Sequence, residues 1–525
     1  MSRGEGVRIR QQRLLHELFI SVAERQPAKE ALVVEGRSYS YAELLKAASQ
    51  VASALSQRGV QRGDRVAIFM DNTWPCVVSI YGAMMAGAVF LLINPQTKRE
   101  KLKYLLEDSG ARAMLTDAHL GFVFLEVLEE IGPDLLVIAS GVLSPESERV
   151  ESFDELLQGE VGSPPPCMTI PTDLAALIYT SGSTGFPKGV MQTHQSMVFA
   201  TRSIVEYLRM QPDDRVLLAL PMAFDYGLYQ LLMTMSIGAT LVIERSFTFQ
   251  GLIHKRMREE RVTVFPGVPT VFAMLVSSHR KKAMRFPDVQ VVTNTAAALP
   301  AESVPLLQEI FPNACIFKMY GLTECKRVCY LEPELLAKKP ASVGRAIPGT
   351  ELYLLSPDGE EVGPGEAGIL YVRGPHLMAG YWQQPEQTAE MLKPGKLPGE
   401  RVLCTHDWFR MDEEGDLYFL GRSDDIIKTR GEKVSPLEVE NVLYALNGVR
   451  EAAVVGGSDE LLGQAVYAFV SLEAGSELTL QQIKKFCISR LENFMVPKAI
   501  ELLDELPKSP NGKIDKKKLE KRVAQ

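Results

Sequence analysis

At 525 residues, with 46% hydrophobic and 23% charged residues, the chain is too long for one core and has ordinary globular usage, so it is neither a disordered segment nor a single small module. Its net charge of -8 argues against nucleic acid as the main partner. Seven cysteines (Cys76, Cys167, Cys315, Cys325, Cys329, Cys404, Cys487), odd in number and scattered through apolar surroundings, exclude a disulfide framework and suggest reduced thiols.

The start, MSRGEGVRIRQQRLLHELF, has no apolar core of signal-peptide length and the end, KRVAQ, is not a peroxisomal address, so the cytoplasm is the expected compartment. SYAELLKAASQVASALSQRG at 40–59 reads as a helix stopped at Gly59, and DRVAIFM at 64–70 as a strand. CVVSIYGAMMAGAVFLLI at 76–93 has the length of a short membrane span. Its internal glycines and its switch to Val-Phe-Leu-Leu-Ile instead predict a buried helix, a break at Gly87 and a buried strand, the alternation from which α/β cores are built.

After the loop GSPPPCMTIPTD at 162–173, the apolar run DLAALIYT at 173–180 predicts a strand, and YTSGSTGFPKG at 179–189 follows from its end. Gly182, Gly185 and Gly189 let backbone amides approach an anion, Ser181, Ser183 and Thr184 add hydroxyls, and Lys188 adds a charge, which is the chemistry of a phosphate cradle. It is not the common nucleotide loop, which needs GxxxxGK followed by Ser or Thr. VTVFPGVPTVF at 262–272 and DVQVVTNTAA at 288–297 predict further strands running into ligand-facing loops. From about Ser342 short alternating strands around turns mark a β-rich subdomain, as in ELYLLSPDGEEVGPGEAGILYVRG at 351–374. After Gly421 the pattern returns to αβ, with SPLEVENVLYAL as a helix, AVYAFVSL as a strand and LTLQQIKKFCISRL as a helix. The basic stretch Lys513, Lys516, Lys517, Lys518, Lys521, Arg522 reads as the solvated face of a terminal helix. Cys325 and Cys329 flank Lys326 and Arg327, but no second Cys/His pair completes a zinc site and the seven histidines have no ligand-like spacing.

The loop at 179–189, with YGLTE at 320–324, THDWFR at 405–410, GRSDDIIKTRGEKVSPLEVE at 421–440 and PKSPNGKID at 507–515, resembles in string and order the adenylate-forming enzymes: acyl-CoA synthetases, nonribosomal peptide adenylation domains and luciferases. The resemblance covers essentially the whole chain. It implies an α/β fold with a large multi-layer N-terminal domain at 1–421, its β-rich subdomain at about 342–421, and a small mobile α/β C-terminal domain at 422–525 that rotates about Asp424 between two half-reactions. It implies ATP and Mg2+ as cofactors. Thr180, Ser181, Gly182, Ser183, Thr184, Gly185 and Lys188 would hold the phosphates. Tyr320 with Gly321 would lie on adenine, Thr323 on the α-phosphate and Glu324 on magnesium. Asp407, assisted by Arg422, would take the ribose hydroxyls. Lys513, on the tight turn Pro510-Asn511-Gly512, would bridge carboxylate and α-phosphate. Where the family usually has glycine before the ribose aspartate this chain has His406, which leaves the geometry of that loop open. Gly431 matches the glycine of the thiol tunnel.

The substrate is read from PMAFDYGLYQ at 221–230. The family's amino-acid-activating members carry Phe-Asp here, matched by Phe224 and Asp225, whereas fatty acyl and aryl synthetases commonly carry histidine. A carboxylate desolvated in an acyl pocket needs a cation, and a substrate ammonium would supply it; an aspartate satisfied by local backbone is the alternative. Tyr226, Tyr229 and Ala297 complete the candidate pocket. The expected reaction is activation of a small α-, β- or cyclic amino acid as acyl-AMP and transfer to the phosphopantetheine thiol of a separate carrier protein, since the twelve residues after Lys513 are too few for a further domain. The alternative is an acyl-CoA ligase using a fatty or cyclic acid and coenzyme A. No nucleic acid and no membrane span are expected.

Overall fold

The computed structural model describes residues 12–158, 168–180, 187–295, 299, 303–422, 425, 427–429, 432–459, 463–491, 493–509 and 513–523. Two large sheets share one helical layer. The first has eight strands in the spatial order Gly380–Tyr381, Lys188–Thr193, Leu174–Thr180, Val89–Ile93, Arg65–Phe69, Ala111–Asp117, Leu136–Ser140, Val150–Ser152. The second has nine, in the order Arg345–Ala346, Cys329–Leu331, Cys315–Tyr320, Val291–Asn294, Val264–Gly267, Arg215–Leu218, Thr240–Ile243, Glu30–Val34, Arg37–Ser40. Their central pairs are parallel, and such strands are short apolar runs because both faces are covered. Between the sheets lie the helices Leu15–Arg25, Tyr41–Gln57, Trp74–Met85, His194–Tyr207 and Asp225–Ile237, packed on Ile68 and Phe90 of one sheet and Leu218 and Ile243 of the other. Further helices cover the two outer faces, giving five layers, α/β/α/β/α.

Local chemistry sets these elements. Ser40 caps the helix Tyr41–Gln57 reciprocally with Glu43, satisfying two otherwise orphaned N–H groups. The apolar run at 76–93 forms the helix Trp74–Met85 and the strand Val89–Ile93 with Gly87 between them at φ +77°, and no described helix is long and apolar enough to cross a membrane. One expectation needs correction. Only Val264–Gly267 of 262–272 is a strand; Pro269 opens the helix Pro269–Lys281, because a first-turn proline lacks only an N–H that has no intrahelical partner.

The strands Glu351–Leu355, Ala367–Arg373, Leu392–Pro394, Arg401–Met411 and Leu417–Arg422 make a five-stranded sheet with its own core, as the alternating pattern predicts. A fourth sheet holds Ile427–Thr429, Glu432–Val434, Val449–Asp459, Gly463–Leu472 and Ala499–Leu502, with the helices Pro436–Tyr444, Leu480–Ile488 and Lys516–Val523 beside it. The sheets therefore change between Arg422 and Ile427. The terminal basic helix is not only a solvated face: Lys516 pairs with Glu440 at 2.7 Å and Arg522 with Glu501 at 2.5 Å, tying it to its own sheet. The six described cysteines are free, and Cys325 and Cys329 are fully buried.

Candidate active site

The Gly-rich loop joins Leu174–Thr180 to Lys188–Thr193, antiparallel strands with Thr180 opposite Lys188. It is thus a hairpin loop, whereas the common nucleotide loop feeds a helix. Ser181, Gly182, Ser183, Thr184 and Gly185 lie outside the described residues, as do Ala297, Asp424 and Gly431. On the loop's far side the Lys188 ammonium sits 5.3 Å from the centre of the Tyr381 ring, and the Tyr381 hydroxyl donates to Glu324 Oε1 at 2.6 Å.

The YGLTE segment leaves the end of the strand Cys315–Tyr320 and folds straight back, with the Val328 N–H donating to the Tyr320 carbonyl at 3.0 Å and the Lys326 N–H to that of Leu322 at 2.6 Å. A Cβ at Gly321 would fall 2.2 Å from the Lys326 carbonyl oxygen, so only glycine fits there. The loop is anchored from the strand Lys188–Thr193, the helix after it and the segment at His376. Gln192 Nε2 donates to the Thr323 carbonyl at 2.8 Å, and the Lys326 ammonium donates to Ser196 Oγ at 3.0 Å and to the His376 carbonyl at 2.7 Å.

Two residues expected at the nucleotide, Tyr320 and Arg422, meet at Asp407. The Tyr320 hydroxyl donates to Asp407 Oδ2, Arg422 Nε lies 3.5 Å from Oδ1, and the Tyr320 ring packs on Phe409 and Phe419. Burial pushes the Asp407 carboxyl up to about 6, against the Tyr320 hydrogen bond and the Arg422 charge. His406 holds φ +57°, the left-handed conformation that glycine adopts freely; the loop keeps its turn with a histidine in it, whose Nδ1 lies 3.9 Å from Cys404 Sγ. Lys513 is exposed, and loss of water around its ammonium, then the Arg422 charge, hold it below the usual lysine range.

The acyl side is built on the first turn of the helix Asp225–Ile237. Asp225 and Phe224 line a narrow crevice with Leu92, Leu177, Ile178 and Leu228. The Thr323 hydroxyl lies near the Asp225 carboxylate, but neither carboxylate oxygen, both buried, has a partner at hydrogen-bonding distance. Burial raises Asp225 to about 6, opposed first by Lys326, then by Thr323 and Arg327. Burial lowers Lys326 to about 7, opposed by Asp225. Arg327, 3% exposed, stacks 4.9 Å over the Tyr226 ring, whose hydroxyl meets Thr293. Tyr229 is buried and its hydroxyl has no partner.

Two basic residues of the chain, Lys326 and Arg327, thus act on Asp225 by charge without reaching its carboxylate oxygens at hydrogen-bonding distance. Lys326 and Arg327 are the functional candidates that spacing alone missed; their signal was two consecutive basic residues inside an apolar strand return. Gln192, Ser196 and Tyr381 carried no signal, because their partners are distant in sequence. Asp71, Asp117 and His119, unremarkable by spacing, are also brought within 4.8 Å of one another; His119 lies 3.2 Å from Asp71, and Asp117 accepts the Asp71 N–H, so the group is an internal polar cluster.

Comparison with known proteins agrees with this geometry. The AMP-binding enzyme family matches residues 19–382, and the AMP-binding enzyme C-terminal domain matches 438–513. A long-chain-fatty-acid–CoA ligase of Bacillus subtilis (strain 168) is 30% identical over 96% of this chain and 94% of its own. Gramicidin S synthase 2 of Aneurinibacillus migulanus is also 30% identical, over 97% of this chain, which spans only 11% of that protein. Among solved structures, a benzoate CoA ligase from Burkholderia xenovorans LB400 superposes with a TM-score of 0.86 at 28% identity, covering 97% of this chain and 99% of the other. The chain belongs to the AMP-binding enzymes of the adenylate-forming superfamily and is an ATP-using, AMP-forming acid–thiol ligase.

Proposed function

We propose that the chain is an acid–CoA ligase whose substrate acid carries no ammonium group. The observation that carries this reading is that two buried basic residues, Lys326 and Arg327, already act on the buried Asp225 carboxylate by charge. A substrate ammonium at Asp225 would be brought toward these basic residues as well, and like charges in a low-dielectric setting repel. Two relatives of matching length, the Bacillus ligase and the benzoate ligase, are CoA ligases by name, which supports coenzyme A as the thiol.

In the first half-reaction a carboxylate oxygen attacks the α-phosphorus of ATP, the bond to the bridging oxygen breaks, and pyrophosphate leaves. In the second, the thiol loses its proton, its sulfur attacks the acyl carbonyl, and AMP leaves. Positioning and charge neutralisation carry most of the catalysis. The loop at 180–185 and Lys188 hold the phosphates, Tyr320 and Gly321 face the adenine, and Asp407 with Arg422 takes the ribose. Thr323 hydrogen-bonds the α-phosphate, and Lys513 bridges it to the incoming carboxylate. Glu324, which accepts from Tyr381 through one oxygen, would hold Mg2+ through its carboxylate, and the ion would supply charge neutralisation to the phosphates. By the family resemblance, Asp424 would serve as the hinge and Gly431 as the thiol-tunnel glycine.

The test is substrate-dependent ATP–pyrophosphate exchange over matched amino, desamino, fatty and aryl acids, followed by thioester formation with coenzyme A or with a phosphopantetheinylated carrier protein. Exchange with desamino acids, thioester on coenzyme A, and equal effects of Asp225→Ala on amino and desamino acids are expected. Exchange confined to amino acids would reject this reading in favour of amino-acid activation and carrier loading, with Asp225 as the ammonium anchor.

A further inference from the structure

Two opposite charges stand on the nucleotide side without pairing. Neither the Lys188 ammonium nor the Glu324 carboxylate lies within 4.0 Å of an opposite charge among the described residues. Both meet Tyr381 instead, which is 6% exposed. Lys188 lies 5.3 Å from the centre of its ring, and its hydroxyl donates to Glu324 Oε1 at 2.6 Å. A phenol suits both neighbours at once, because its π face carries partial negative charge toward a cation and its O–H presents a proton to an anion. Burial, and then the Glu324 charge, push the hydroxyl above the usual tyrosine range, so it remains a donor.

The backbone fixes this ring from both sides. Gly380–Tyr381 pairs antiparallel with Lys188–Thr193, Tyr381 lying opposite Val190, and the Ala379 and Trp382 N–H groups donate to the Met191 and Gly189 carbonyls at 2.9 and 2.7 Å. Toward the return loop, the Met378 N–H donates to the Glu324 carbonyl at 2.7 Å. The Tyr381 N–H donates to Thr388 Oγ1 at 2.9 Å. The segment 378–382 is thus bonded to the phosphate hairpin on one side and to Glu324, by main chain and side chain, on the other. Opposite charges with no such spacer attract each other, and an incoming phosphate or metal ion would first have to separate them.

We propose that Tyr381 is a positioning residue for adenylation: it holds Lys188 and Glu324 apart and keeps each available to the nucleotide, the lysine for phosphate and the carboxylate for Mg2+. This inference deepens the nucleotide part of the proposed function and rests on the assignment of Lys188 to phosphate and of Glu324 to Mg2+. Removing the hydrogen bond that orients a metal-binding carboxylate typically costs about 10–100-fold in metal affinity.

The experiment is calorimetric titration of the whole enzyme, without acid substrate, with ATP in the presence of Mg2+ and with ATP in EDTA. The ratio of the two affinities is the readout. Tyr381→Phe keeps the ring and removes the hydroxyl; it is expected to lower the ratio at least about tenfold in the wild-type background and to leave it unmoved in Glu324→Gln, where no carboxylate remains to be oriented. Tyr381→Leu removes the ring as well and is expected to weaken ATP binding in EDTA at least about threefold more than Tyr381→Phe does, within the range of a cation–π contact. An unchanged ratio in Tyr381→Phe, or the same loss in the Glu324→Gln background, would overturn the positioning role and leave the ligase reading standing. Equal binding of ATP in EDTA by the two Tyr381 variants would overturn the Lys188 half of it. A Glu324→Gln ratio equal to wild type would overturn the Mg2+ assignment, and this inference with it. Should the Tyr381 variants not fold, the urea midpoints of Lys188→Met, Glu324→Gln and their double variant decide: additive shifts are expected for charges held apart, and strong coupling would show that they pair directly and overturn the proposal.

Discussion

Lys513 and Asp407 are single residues whose surroundings make distinct predictions. If Lys513 bridges carboxylate and α-phosphate, Lys513→Ala should lower pyrophosphate exchange by about 10²–10³-fold, the usual loss on removing one preorganised charge or donor. Thioester formation from supplied acyl-AMP should persist, and equal loss of both steps would remove the assigned role. For Asp407 the sign is set by burial, which raises the carboxyl to about 6. Ribose hydroxyls are donors and need the ionised acceptor, so KM for ATP should rise as pH falls below about 6, approaching about tenfold per unit; Asp407→Asn should flatten the profile. Stability runs the other way. A carboxyl with a raised folded pKa contributes stability that is present below its unfolded pKa and lost as pH rises through about 6. Asp407→Asn should therefore raise the urea midpoint at neutral pH while impairing ATP binding, and a lowered midpoint would refute the burial argument.

At the scale of the element, the return loop after Tyr320 connects nucleotide and acyl chemistry. It places Thr323 and Glu324 on one side and Lys326 and Arg327 on the other, and Gly321 permits the turn because the chain passes 2.2 Å from where its Cβ would be. Gly321→Ala should cost about 1–3 kcal/mol in urea unfolding, the range for overpacking. The Asp225–Lys326 pair spans two elements. Lys326→Met leaves the Asp225 charge without its main compensation and should cost about 3–5 kcal/mol, whereas the double variant Asp225→Asn/Lys326→Met should recover most of that loss. Additive losses in the double-mutant cycle would show that the two groups are independent.

The whole molecule carries one arrangement of its last sheet against the large sheets. Arg280, on the helix Pro269–Lys281, pairs with Glu473 beyond the strand Gly463–Leu472, and Ser435 Oγ bonds the Leu420 carbonyl. If, as proposed, the small domain moves between the two half-reactions, holding this arrangement should separate them. A short bismaleimide link between Arg280→Cys and Glu473→Cys should leave pyrophosphate exchange within a few-fold of the unlinked protein and abolish thioester formation; full thioester formation by the linked protein would exclude the rotation.

The sequence by itself determined the strands, helices and turns whose signals are local: the apolar runs of the parallel sheets, the capping box at Ser40, the break at Gly87, the alternation after Ser342. It also determined the family, because five motifs in order carry the chemistry of ATP. Pro269 was misread since a proline breaks one strand pattern and begins one helix equally well. Only the tertiary structure decided what surrounds Asp225. Its electrostatic partners lie about a hundred residues downstream and arrive through a turn that Gly321 permits; a side chain's charge is written in the sequence, but which opposite charges share its low-dielectric surroundings is a property of packing.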